Sequence, residues 1–194
     1  MTIGIYGGSF NPIHLGHTKL AQWLVRHGYI DELWFLVSPQ NPLKIAADLL
    51  DDEARLRLAQ LAVGRKKGVK VSDFEFHLPR PSFMVQTLES LRTVYPSLDF
   101  VLVIGADNWH RFPHWKDSGE ILRHHRLIIY PRPDYPIDPS TLPSDATMVD
   151  APLMDISSTE IRKAIASDTA YDGYGLPRPV WKEIQARRYY FTDV

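Results

Sequence analysis

Near its N-terminus the chain runs Ile3-Gly4-Ile5-Tyr6-Gly7-Gly8-Ser9-Phe10-Asn11-Pro12-Ile13-His14-Leu15-Gly16-His17. Ile3 to Tyr6 has the length and character of a buried strand, the glycine pair breaks the run, and Leu20, Ala21, Leu24 and Val25 recur at helical spacing. Strand, loop and helix follow in immediate succession, and the pattern repeats outward. Leu33 to Val37 is a second strand, and Ala54, Leu58, Leu61 and Ala62 mark a helix face ending near Gly64. Val69 to Ser72 is a third strand. Val85, Leu88, Leu91 and Tyr95 line a helix stopped by Pro96, and Phe100 to Ile104 is apolar enough for a central strand buried on both faces. A short helix at Glu120 to Arg123, a strand at Leu127 to Tyr130, a last strand at Thr147 to Val149 and helices at Thr159 to Ala166 and Val180 to Arg187 complete the order. The five prolines from Pro131 to Pro143 read as an exposed connection.

Strands alternating with helices imply an α/β fold: a doubly wound, Rossmann-like parallel sheet covered on both faces, with ligands at the carboxyl ends of its strands. With 194 residues, 44% of them apolar, a single domain over residues 1–194 is expected, with a small C-terminal helical part from about residue 157. Lys plus Arg number 22 against 23 Asp plus Glu, so the chain lacks the positive surplus of a nucleic-acid binder. Cysteine is absent, which excludes disulfide frameworks, thiolate nucleophiles and Cys-bearing zinc sites, and fits a reducing compartment. No apolar run approaches the ~20 residues of a membrane span, and no signal pattern opens the chain. A cytoplasmic protein without a membrane partner is expected, and assembly as a homo-oligomer stays open.

Four segments could carry chemistry. In the first, Gly7 and Gly8 let backbone approach a ligand, and the helix starting near Leu15 turns its free N–H groups and positive dipole end toward the loop, which outlines an anion site. His14 and His17, three apart, share one side of a helical turn and could both donate to phosphate oxygens; a metal pair is the other reading, with no third ligand nearby. The second is Ile156-Ser157-Ser158-Thr159-Glu160-Ile161-Arg162, where Ser157 and Glu160 spell a capping box. It is either structural punctuation or, through Ser158, Thr159 and Arg162, a second anion clamp. The third, Ser38 to Lys44, offers a lysine that is either a phosphate contact or solvated. The fourth ends the central strand at Gly105, with Asp107 available to a ribose hydroxyl or as a helix cap. Neither a P-loop nor G-x-G-x-x-G is present.

Gly7 to His17 resembles the H-x-G-H signature of the nucleotidyltransferase superfamily, and Ile156 to Arg162 resembles its second signature. Ser38 to Lys44, Pro81-Ser82-Phe83, Gln86-Thr87-Leu88, Ile104 to Asp107, Phe112 to Trp115 and Leu176-Pro177 resemble bacterial nicotinate-mononucleotide adenylyltransferases, and the likeness spans Ile3 to Tyr190. Ser9 and Asn11 stand where many relatives carry Thr and Asp, and Asp134 to Ser144 matches no motif.

The resemblance implies that ATP and nicotinate mononucleotide give nicotinate adenine dinucleotide (deamido-NAD) and pyrophosphate, with Mg²⁺ held mainly by substrate phosphates rather than by protein ligands. It implies that His14 and His17 contact the ATP phosphates, with His17 at the α-phosphate, that Lys44 neutralises phosphate charge, and that Ser158, Thr159 and Arg162 grip the β and γ phosphates. Gly7, Gly8, Ser9 and Phe10 would line the cleft by backbone, Ile156 would join the ATP site, and Gly105 and Asp107 would hold the ribose side. Thr87 and Trp115 would recognise nicotinate, the indole stacking on the pyridine ring, with core packing as the alternative for Trp115. A phosphate monoester with a second pKa of about 6 is largely ionised at neutral pH, so no general base is required. Competing expectations keep the fold and change the acceptor to nicotinamide mononucleotide or phosphopantetheine, or make the chain a nucleotide-binding sensor without catalysis. All these readings require the two signatures to meet in space.

Overall fold

A computed structural model describes residues 1–39, 49–167 and 170–191. Six parallel strands lie in the order β3-β2-β1-β4-β5-β6: β1 Thr2–Gly8, β2 Glu32–Val37, β3 Val69–Ser72, β4 Asp99–Gly105, β5 Leu127–Tyr130 and β6 Ala146–Met148. The order reverses between β1 and β4, the switch point where a doubly wound sheet leaves a crevice. Among the described residues the helices are α1 Leu15–Arg26, α2 Asp52–Val63, α3 Met84–Val94, α4 Ala106–Arg111, α5 Ser118–His124, α6 Ser158–Ser167 and α7 Arg178–Arg187.

The period-two alternation of the strands sorts the core into two layers. Leu33, Phe35, Val37, Val101, Val103 and Ile128 point to one face, where α1, α2, α6 and α7 bury Leu24, Leu58, Ile161 and Ile184. Ile3, Ile5, Leu36, Leu102, Ile104 and Ile129 point to the other, where α3 and α5 bury Leu88, Leu91 and Ile121. Each fully buried side chain of this kind contributes about 1.5–3 kcal/mol. The central position expected for Phe100 to Ile104 is borne out: β4 lies between β1 and β5.

Four details differ from the sequence reading. β1 does not stop at the glycine pair: Gly7 and Gly8 pair with Leu36 and Val37. The last strand is shifted by one residue, to Ala146–Met148, and α4 had no sequence signal, because six residues span too few turns to display a period. The proline-rich connection is not wholly exposed, since Tyr135, Ile137 and Leu142 pack against the second layer and Pro139–Thr141 forms a 3₁₀ turn.

Candidate active site

Beyond β1 the chain turns inward: Ser9, Phe10 and Asn11 are buried. Phe10 has φ 44°, left-handed backbone that costs a non-glycine residue about 1–2 kcal/mol. Its ring stands edge-on to Phe35, Tyr6 and His17 at centroid distances of 5.2, 5.7 and 5.1 Å, and burial of that ring offsets the strain.

His14 is the residue before α1 and His17 lies in its first turn; the rings stack with centroids 3.7 Å apart and planes at 27°. The His14 backbone N–H donates to His17 Nδ1 at 3.2 Å, which leaves the single N–H of a neutral His17 at Nε2. A Cβ on residue 16 would lie 3.0 Å from the His14 ring, so the glycine between the histidines is what lets the imidazole lie flat against α1. His14 is 3% exposed, and burial, reinforced by the charge of Arg132, lowers its pKa to about 3. It is therefore neutral and can donate through one nitrogen only. Its Nδ1 is buried and has no hydrogen-bond partner.

The second signature meets the first. Ser158 Oγ donates to the Pro12 carbonyl at 2.9 Å and Arg162 Nη1 to the Asn11 carbonyl at 2.8 Å, fastening α6 to the loop before His14. Asn11 Oδ1 in turn accepts from Tyr190 Oη at 2.8 Å and from the Leu50 N–H at 3.2 Å. Ser157 Oγ accepts from the Glu160 N–H at 3.1 Å, as in a capping box, while the Glu160 carboxylate takes the Ser157 hydroxyl proton at 3.0 Å. Thr159 is exposed on the first turn of α6, and Ile156 packs against the first core layer.

At the end of β4, Gly105 precedes α4 and Asp107 lies in that helix's first turn without capping it. Asp107 Oδ1 faces Arg132 Nε at 3.5 Å, and a Cβ on residue 105 would come within 2.4 Å of that carboxylate and 3.0 Å of Tyr130. Arg132 Nη2 donates to Tyr130 Oη at 3.3 Å, and the Tyr130 and Tyr6 hydroxyls bond at 2.7 Å. Burial raises the pKa of both tyrosines. Tyr6, His14, His17, Tyr130, Arg132 and Met154 line one cleft. Its polar groups are imidazoles, hydroxyls and a guanidinium, a set that suits a polyanion.

Thr87 and Trp115 sit on the other side of the sheet's end. Thr87 is fully buried in α3, its hydroxyl donating to Glu75 Oε1 at 3.0 Å. Glu75, 3% exposed, also accepts from Ser82 Oγ at 3.4 Å; burial raises its pKa, and the Ser38, Thr87 and Ser82 hydroxyls pull it back. The Thr87 side chain thus bonds inward. Trp115 is half-buried beside Phe112, centroids 5.4 Å apart, and its indole Nε1 is buried without a partner. Lys116 Nζ lies 4.6 Å from the centre of the Phe83 ring, which joins this segment to the start of α3. Met84 covers the end of β1, where a Cβ on Gly7 would meet its methyl at 2.6 Å, so the two halves adjoin.

Lys44 lies outside the described residues. Sequence reasoning missed Arg132, Glu75 and Arg55, a fully buried arginine on α2 that bonds to Ser9. Only Arg55 left a trace in the sequence, a cation on the apolar face of its helix. Among the described residues no group of three or more His, Cys, Asp or Glu is arranged to hold a metal, and no helix is long and apolar enough to cross a membrane.

Residues 5–164 match the family model described as cytidylyltransferase-like. The chain belongs to this family. Within it, the chain is 49% identical over 183 residues to the probable nicotinate-nucleotide adenylyltransferase of Bacteroides thetaiotaomicron, covering 94% of this chain and 90% of the relative. It is 38% identical over 190 residues to that of Cytophaga hutchinsonii, covering 98% of each. The resemblance read from the H-x-G-H segment is thereby borne out. In fold, the chain is similar to Plasmodium falciparum nicotinic acid mononucleotide adenylyltransferase complexed with NaAD, with a TM-score of 0.82, 21% identity and 97% of both chains covered. That likeness bears out the Rossmann-like family fold.

Proposed function

We propose that the chain transfers the adenylyl group of ATP to nicotinate mononucleotide, releasing pyrophosphate and forming nicotinate adenine dinucleotide in the cytoplasm. The observation that carries the reading is the pair of hydrogen bonds from Ser158 and Arg162 to the carbonyls of Pro12 and Asn11, which bring α6 against the histidine loop. Relatives that cover nearly the whole chain and are named for this activity support the same substrates.

In the reaction a 5′-phosphate oxygen of the mononucleotide attacks the α-phosphorus of ATP. A new P–O bond forms, the bond to the bridging α–β oxygen breaks, and its electron pair leaves with pyrophosphate. The attacking oxygen is already largely ionised at neutral pH, so the chain's task is to hold two polyanions in line and offset the charge that develops on the phosphates. The Nε2–H of His17 is set for the α-phosphate by the bond that occupies Nδ1. His14, neutral, offers one further N–H. Arg162, through the guanidinium N–H groups not turned to Asn11, and the Thr159 hydroxyl hold the β and γ phosphates together with the backbone N–H of Ser158, whose hydroxyl stays on Pro12; Lys44 adds charge, and the backbone of Gly7 to Phe10 lines the cleft with Ile156 beside it. Asp107 and Gly105 flank the ribose, and Asp107 keeps Arg132 at the cleft edge. Trp115 supplies a ring for the pyridine, and Thr87 supports that wall through Glu75.

Mg²⁺ would accompany the triphosphate, with the phosphates supplying most of its oxygen ligands and the metal offsetting their charge; the described residues lining the cleft contribute no carboxylate. The test is pyrophosphate release with ATP and either nicotinate or nicotinamide mononucleotide. The expected result is turnover with the nicotinate substrate as the faster of the two; release with neither would overturn the reading.

A further inference from the structure

Arg55 is completely buried, and every N–H of its guanidinium is used. Nε donates to the Leu50 carbonyl at 2.8 Å, Nη1 to the carbonyls of Ser9 at 2.6 Å and Ser38 at 2.8 Å, and Nη2 to the Pro39 carbonyl at 3.2 Å and to the Asp52 carboxylate. Asp52 is also held from outside by Arg80 Nη2 at 3.1 Å. A helix needs no such hub to pack; methionine or leucine would fill the same space without a charge to desolvate. What the guanidinium does is draw together three carbonyls from the chain leaving β1 and β2, two neighbouring strands at the ligand end of the sheet.

A trans peptide is planar, with its C=O and N–H on opposite sides. With the Ser9 carbonyl turned to Arg55, the Phe10 N–H points away from α2. That N–H has no hydrogen-bond partner among the described residues, although Phe10 itself is buried and its ring touches His17. An open backbone N–H on a buried residue whose ring touches His17 can take an acceptor that arrives with the ligand.

We propose that Arg55 is a positioning residue for the triphosphate: it touches no substrate, and by gathering the carbonyls of Ser9, Ser38 and Pro39 it holds the loop after β1 with the Phe10 N–H toward a phosphate oxygen. The proposal rests on the adenylyl-transfer reading, and its test separates the two.

Arg55→Lys keeps the charge but cannot span the carbonyls, and Arg55→Met keeps the bulk of the stem. Asp52→Asn keeps the guanidinium and its four carbonyls while removing the anionic partner. Melting curves and pyrophosphate-release kinetics are measured for these three and for Arg55→Ala, which removes the whole side chain, with each substrate varied in turn. Both Arg55 variants are expected to raise the KM for ATP by about tenfold or more, the scale of lost charge-assisted bonds, and to leave the KM for nicotinate mononucleotide within about twofold. Asp52→Asn is expected to lower the melting temperature and leave both KM values within about twofold. Arg55→Ala should regain part of its kcat/KM for ATP in millimolar guanidinium chloride and none in sodium chloride. If Arg55→Met does not fold, Arg55→Lys and the guanidinium rescue decide between the outcomes. Equal rises in both KM values, an Asp52→Asn effect matching that of Arg55→Lys, or an unchanged KM for ATP would overturn the proposal. A wild-type chain that releases no pyrophosphate would strike the activity reading instead, and ATP affinity by calorimetry on the same variants would then test the positioning role alone.

Discussion

On the face of the sheet covered by α1, α2, α6 and α7, three side chains near the cleft donate to loop carbonyls: Arg55 to Ser9, Ser158 to Pro12, Arg162 to Asn11. Beside α3, on the other face, two hydroxyls converge on one buried carboxylate: Thr87 and Ser82 both donate to Glu75. The first arrangement shapes the main chain around the histidine loop and the start of α6. The second closes polar atoms away near Trp115, whose buried indole N–H has no partner among the described residues. The contrast teaches that, under the proposed function, phosphate chemistry and ring recognition draw on opposite layers of one sheet and adjoin at the ends of β1 and β4.

The largest effect should come from the imidazole whose tautomer is fixed. His17→Ala is expected to lower kcat by about a hundredfold or more, the scale of one transition-state donor, with a near-normal melting temperature. Turnover close to that of the wild type would remove the first face from the chemistry.

His14 sharpens the comparison through pH. Its folded-state pKa of about 3 lies below its ordinary 6.5, so in this window the unfolded chain binds the extra proton and acid disfavours the fold. The contribution is fully present above pH 6.5 and is lost as pH falls toward 3, by about 1.4 kcal/mol per pH unit. His14→Gln should therefore lose less stability than the wild type between pH 6.5 and 4 in urea melts. Parallel curves would mean that His14 is not held neutral by burial.

On the second face the expected effects are smaller and fall on the other substrate. Trp115→Ala should raise the KM for the mononucleotide by about tenfold, consistent with loss of ring contact, with the KM for ATP little changed; a rise for ATP alone would reverse the assignment of the faces. Smallest in kinetics is Thr87→Val, which removes a donor from the buried Glu75 carboxylate. It should cost about 1–3 kcal/mol of stability and leave both KM values within about twofold. A raised KM for the mononucleotide at unchanged stability would put the hydroxyl on the substrate rather than on Glu75.

Much of this was legible in the sequence. The alternation of apolar runs located all six strands to within a few residues, and the two signatures identified the loop and the helix that meet at Asn11 and Pro12. What escaped notice depends on distance along the chain. Arg55 and Ser9 are 46 positions apart, and an arginine on a helix reads as a stem lying along the surface until its partners are seen. Arg132 sits in a proline-rich run that has no period. The inward turn of Thr87 depends on Glu75, 12 residues earlier on a 3₁₀ turn, and no spacing rule links them.

The most direct test is a crystal structure with a non-hydrolysable ATP analogue and Mg²⁺. His17 Nε2 and the guanidinium of Arg162 should both lie within hydrogen-bond distance of phosphate oxygens of one bound molecule. Phosphates that contact only one of the two, or that lie outside the cleft between α1 and α6, would contradict the account.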